Sequence, residues 1–113
     1  MNRITAAFQK NAAANRKALV GYLTAGDPNP ETSFDILRAA CASGLDILEL
    51  GVPFSDPTAD GPVIQEASVR ALKAGMTLTK TLEIAARIRA ESDIPIMLFG
   101  YYNPLFKYGL ERV

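Results

Sequence analysis

Three carboxylates, Glu49, Asp56 and Asp60, stand close together around Pro53 and Pro57 in a chain that has no histidine. Without the commonest general base and metal ligand, proton transfer falls to carboxylates, tyrosine, lysine or cysteine. Glu49 lies near the end of a short apolar run, residues 45–51, and Asp60 in the turn-rich segment after it. A carboxylate among apolar residues is disfavoured in its charged form, which suits a group that exchanges a proton near neutral pH. The alternative for Glu49 is a structural pairing with a lysine or arginine. For Asp60 it is capping, because acids just before a helix start accept hydrogen bonds from its first amides. The three acids could also hold Mg²⁺, but their loose spacing makes that a weak reading. Cys41, the one cysteine, falls in an apolar helical stretch and reads as a small buried hydrophobe rather than a nucleophile.

Elements of two kinds must position these side chains. Residues 18–24, 45–51 and 95–102 are apolar runs bounded by turn residues, the pattern of strands buried on both faces. Strand parity puts Glu49 on one face with Leu45 and Ile47, and Leu48 with Leu50 on the other. Between the strands come helical patterns. Asn29 can cap a helix opening at Pro30, with Phe34, Leu37 and Cys41 inward and Gly44 as its stop. Pro62 can open a second helix, with Val63, Ala67 and Ala71 buried and Gly75 closing it. Residues 77–92 predict a third, with Leu78, Leu82, Ala85 and Ile88 facing inward. A short N-terminal helix should dock through Ile4, Ala7 and Phe8. Asn103 and Pro104 begin a last helix, expected still to be running at Val113.

Strands apolar on both faces and joined by helices predict an α/β fold with a parallel sheet covered by helices. A (β/α)8 TIM barrel takes about 250 residues and eight such units. The 113 residues are therefore expected to hold only the first three β/α units, as the incomplete N-terminal part (1–113) of one barrel domain. Ile47, Ile96 and Leu98 are expected on the inward face. Glu49 then falls at the C-terminal end of its strand, where barrel active sites are built.

Composition narrows the partners. Twelve basic and twelve acidic residues balance to zero net charge, which leaves no electrostatic footprint for nucleic acid or an anionic membrane. No apolar run approaches the roughly 20 residues of a membrane span. Residues 1–26 carry no acid, yet they lack the serines of a transit peptide, so a cytoplasmic protein is expected.

The run over residues 48–65, LELGVPFSDPTADGPVIQ, resembles the signature of the tryptophan synthase α subunit family. Tyr22-Leu23-Thr24-Ala25-Gly26-Asp27-Pro28 and Tyr101-Tyr102-Asn103-Pro104-Leu105-Phe106 match the same family. Thr58 departs from the pattern, which carries an apolar residue there, and Tyr22 stands where the pattern carries Phe. The resemblance implies a lyase: retro-aldol cleavage of indole-3-glycerol phosphate to indole and glyceraldehyde 3-phosphate. Glu49 would then do the acid–base work, and Asp60 would accept the indole N–H and stabilise positive charge on the ring. Tyr22 and Tyr102 match positions lining the indole pocket. The family's phosphate grip comes from glycine-rich turns late in the barrel, outside these residues.

The implied partner is the β subunit, in an α2β2 heterotetramer that takes up the indole for L-tryptophan synthesis. Pyridoxal phosphate belongs to β, and no cofactor or metal is expected on α. Pro53, Asp56 and Pro57, with Asn103, Pro104, Leu105 and Lys107, resemble the surface that meets β. The 113 residues alone are expected to be inactive. A reading of another class is a non-catalytic α-like module that docks on β and activates it. A Schiff-base aldolase is disfavoured, because no lysine falls at the C-terminal end of a strand.

Overall fold

Asn2 and Asn29 each turn a side-chain oxygen onto the first turn of a helix, and with that the chain's order begins. The computed structural model describes residues 2–113. Asn2 accepts from the Thr5 amide at 2.8 Å and opens α1 (Arg3–Ala13). Asn29 accepts from the Thr32 amide at 2.9 Å, with Pro30 at the first position of α2 (Pro30–Ala42). The strands are β1 (Val20–Thr24), β2 (Ile47–Gly51) and β3 (Ile96–Phe99). α3 (Pro62–Lys73) and α4 (Leu78–Glu91) lie between β2 and β3, and α5 (Tyr102–Tyr108) follows β3. Among the described residues no helix is long and apolar enough to cross a membrane.

All pairings are parallel, in the order β1-β2-β3, with Tyr22 opposite Glu49 and Glu49 opposite Met97. The sheet therefore consists of consecutive β/α units of the barrel type, with α4 added after β2. Leu48 and Leu50 are completely buried and pack with Phe34, Leu37, Ala71, Ile84 and Ile88 under the helices. Burying one such leucine contributes about 1.5–3 kcal/mol. Leu23, Ile96 and Leu98 pack against the same core. Ile96 and Leu98 thus face the helices, against the expectation that they point inward. The register explains it: Leu48 pairs with Ile96 and Leu50 with Leu98, so Met97 and Phe99 share the face of Glu49.

Other expected faces hold in part, and Ile4 and Ala7 of α1 are half-buried. In α1 the buried residue is Asn11, while Phe8 is 52% exposed. Asn11 can be buried because it is satisfied: Nδ2 donates to the Ala7 carbonyl at 2.8 Å, and Oδ1 accepts from the Arg16 guanidinium at 3.0 Å. In α3, Ala67 and Ala71 are buried as expected, but Val63, in the first turn, is 78% exposed. In α4 the buried stripe is Thr81, Ile84 and Ile88, flanked by half-buried Leu78, Leu82 and Ala85. Thr81 lies inward because its hydroxyl donates to the Thr77 carbonyl at 2.9 Å. Cys41 is half-buried beside the core, and that burial pushes its thiol above the ordinary range. The last helix does not run to Val113. It ends at Tyr108, where Gly109 takes a φ of 110° that side chains resist.

Two electrostatic fixtures hold the frame. Arg87 lies 3.8 Å above the Phe34 ring and pairs with Glu31 at 3.1 Å, which clamps α4 onto α2. Asp46 accepts from the Leu19 amide at 2.7 Å, joining the entrances of β1 and β2. That amide, with Asn11 and Arg16, lowers the Asp46 pKa.

Candidate active site

Glu49 occupies the middle of β2, and its cross-strand neighbour on the same face is Tyr22. The Tyr22 ring leans toward the C-terminal ends of the strands. Its edge meets Phe99 at 5.5 Å between centroids and 82° between planes. Its hydroxyl lies over Gly51, where a Cβ would overlap both that oxygen and the ring. Gly51 is thus required by a neighbour's bulk and not by backbone torsion. Gly51→Ala in the native protein is expected to cost about 1–3 kcal/mol, because the phenol must leave its place. Urea denaturation measures the loss, and an unchanged midpoint would mean that the ring moves freely.

Asp60 is supplied by the loop between β2 and α3, and this loop is fastened at several points. The Asp60 amide donates to the Pro57 carbonyl at 3.1 Å, and Gln65 Nε2 donates to the Asp60 carbonyl at 2.8 Å. Tyr101 reaches across from the end of β3, where its hydroxyl accepts from the Ala59 amide at 2.8 Å. The Tyr101 ring lies 5.3 Å from that of Phe54. The backbone of Ala59 and Asp60 is therefore anchored where the loop passes the end of β3. The cap of α3 is Gly61, with no side-chain hydrogen bond, so Asp60 does not cap that helix.

A cavity of about 410 Å³ opens between the loop and the strand ends, lined by Tyr22, Val52, Asp60, Phe99, Tyr101 and Tyr102, among others. Its walls are mostly aromatic and apolar, with Asp60 as the charged group. Glu49 is not in the lining, but it is the cross-strand neighbour of Tyr22, which is. Burial pushes the Tyr22 phenol above its ordinary pKa. The Thr24 hydroxyl opposes this with a hydrogen bond, and the negative charges of Asp60 and then Glu49 add to the rise. Both carboxylates are therefore felt at one hydroxyl. Among the described residues neither joins an ion pair. No three acids or thiols gather there as a metal-binding group, and exposed Asp56 does not join the other two.

Tyr102 lies at the cavity rim, 60% exposed, with its ring 5.6 Å from that of Phe106. Tyr101, not singled out in the sequence, makes the closer contacts with the loop. The parity of β3 was the available signal, since Met97, Phe99 and Tyr101 follow one face. Of the surface residues named above, Pro53 is buried, Asp56, Asn103 and Lys107 are exposed, and Pro57, Pro104 and Leu105 are half-buried. Tyr101 brings their two segments together, since it binds Ala59 and directly precedes α5. A second cavity, of about 330 Å³, lies between α2 and α4 by Arg38, Cys41 and Glu91. Arg38 and Glu91 are paired there at 2.7 Å, and no reactive pair is present.

The family model of the tryptophan synthase alpha chain matches residues 8–113. The tryptophan synthase alpha chain of Desulfosudis oleivorans is 60% identical over 112 residues, and that of Solibacter usitatus 54% over 113. These matches cover 99% and 100% of this chain, and this chain spans 42% of the length of each relative. The solved tryptophan synthase subunit alpha of Legionella pneumophila superposes with a TM-score of 0.95 at 42% identity, covering 99% of this chain and 43% of that one. A tryptophan synthase structure from Mycobacterium tuberculosis, in an aminoacrylate-bound form, gives 0.92 at 36% identity, covering 98% and 44%. This chain belongs to the tryptophan synthase alpha chain family.

Proposed function

We propose that the native protein cleaves indole-3-glycerol phosphate to indole and glyceraldehyde 3-phosphate, a lyase reaction. The observation that carries the reading is that Tyr22 lines an aromatic cavity together with Asp60 and stands opposite Glu49 in the sheet. The chemistry asks for two separate carboxylates. A proton must reach the indole carbon that bears the side chain, the bond from that carbon to the side chain breaks, and the neighbouring hydroxyl gives up its proton as it becomes an aldehyde. Glu49 does this acid–base work. Asp60 accepts from the indole N–H and stabilises the positive charge that forms on the ring. Tyr22 and Tyr102 flank the flat indole, whose faces suit aromatic walls. Proton transfers between carboxylates and substrate complete the reaction without a cofactor.

The partner in this reading is the β subunit, in an α2β2 assembly, where pyridoxal phosphate on β turns the released indole into L-tryptophan. The loop from Pro53 to Pro57 and α5 from Asn103 to Lys107 supply the docking surface, and their juxtaposition through Tyr101 supports it. The test is indole release from indole-3-glycerol phosphate by the native protein, alone and with β. Release in both settings is expected, and faster with β. An α-like chain that served only for docking would raise β activity and release no indole.

A further inference from the structure

Tyr22 has a polar end that the reaction as described does not use. Its oxygen accepts from the Thr24 hydroxyl at 3.3 Å, long for a hydroxyl pair, so the contact orients the phenol rather than holding it. The acceptor side is thereby occupied and the phenolic proton is left to donate. Phe99 meets the edge of the ring, and the hydroxyl lies over Gly51. Burial and the nearby charges of Asp60 and Glu49 keep the group protonated.

We propose that the Tyr22 hydroxyl donates a hydrogen bond to a side-chain hydroxyl of the bound substrate, holding the glycerol chain toward Glu49 while Asp60 keeps the indole N–H. The inference rests on the cleavage reading above and adds a polar contact to it. The ligand chemistry follows from what each group can accept. An indole ring offers an N–H donor and no oxygen, so the acceptor must lie on its side chain. A phosphate dianion is repelled by the two carboxylates that converge on this hydroxyl, whereas a neutral alcohol oxygen is not.

Tyr22→Phe in the native protein keeps the ring and its contacts with Phe99 and removes only the donor. The substrate and its analogue without hydroxyls, an indole joined to phosphate through a plain three-carbon chain, are compared by calorimetry and kinetics. The variant should bind the analogue as the unaltered protein does, and its kcat/KM for the substrate should fall about tenfold, mainly through KM. Thr24→Val, which loosens the phenol without removing it, should give a smaller loss in the same direction. Equal kcat/KM in Tyr22→Phe, or an equal loss of affinity for both ligands, overturns the inference alone. An unaltered protein that binds neither ligand overturns the cleavage reading, and the inference with it.

Discussion

Glu49→Gln in the native protein should lower indole release by about 10²–10⁴-fold, the range expected for a positioned acid–base group. Glutamine has the same length and fits the same place in the row between Tyr22 and Met97. Among the described residues Glu49 makes no ion pair, so the thermal midpoint and the association with β should stay near those of the unaltered protein. What disappears is the capacity to hold a proton and give it back. A steady-state indole assay run beside a thermal melt checks both statements. Turnover near normal in a folded variant would remove Glu49 from the acid–base role.

Asp60→Asn tests a different quality of the same site. Asparagine keeps an acceptor oxygen for an N–H group and loses the negative charge. If that charge stabilises the ring cation, kcat should fall by about 10²–10³-fold with a much smaller change in KM. The structure adds a control on stability. Gly61 caps α3 without help from Asp60, and the loop is held by backbone groups of Pro57, Ala59 and Asp60. Folding free energy should therefore change by less than the ~1 kcal/mol a lost cap costs. A stability loss with full turnover would return Asp60 to a purely structural role.

The strand and helix order was legible in the sequence because the strong signals are local. Asn29 before Pro30, the glycines after helices and the apolar runs each act within a few residues. The pairing of Glu49 with Ile47 against Leu48 and Leu50 followed from parity alone. Faces were less legible where a polar residue could be satisfied inside. Asn11 is buried because two hydrogen bonds satisfy it, and no periodicity reports that. Ile96 and Leu98 were misplaced because parity within a strand does not give its register to the next. Only the pairing of Leu48 with Ile96 fixes it. The role of Tyr101 is likewise non-local, since its partner Ala59 is 42 positions away.

Gly51 and Tyr22 are a single choice made at two positions. The ring of Tyr22 fills the volume that any side chain at residue 51 would need, and phenylalanine would fill nearly the same volume. Gly51→Ala should be tolerated better once residue 22 is small, although the small residue then strips the cavity of an aromatic wall. A side chain at 51 is not an easy step while the ring is in place, and the paired change forfeits the aromatic wall. The two positions therefore constrain each other's history: an aromatic residue at 22 traps glycine at 51, and the trap opens only for a chain that no longer needs this cavity.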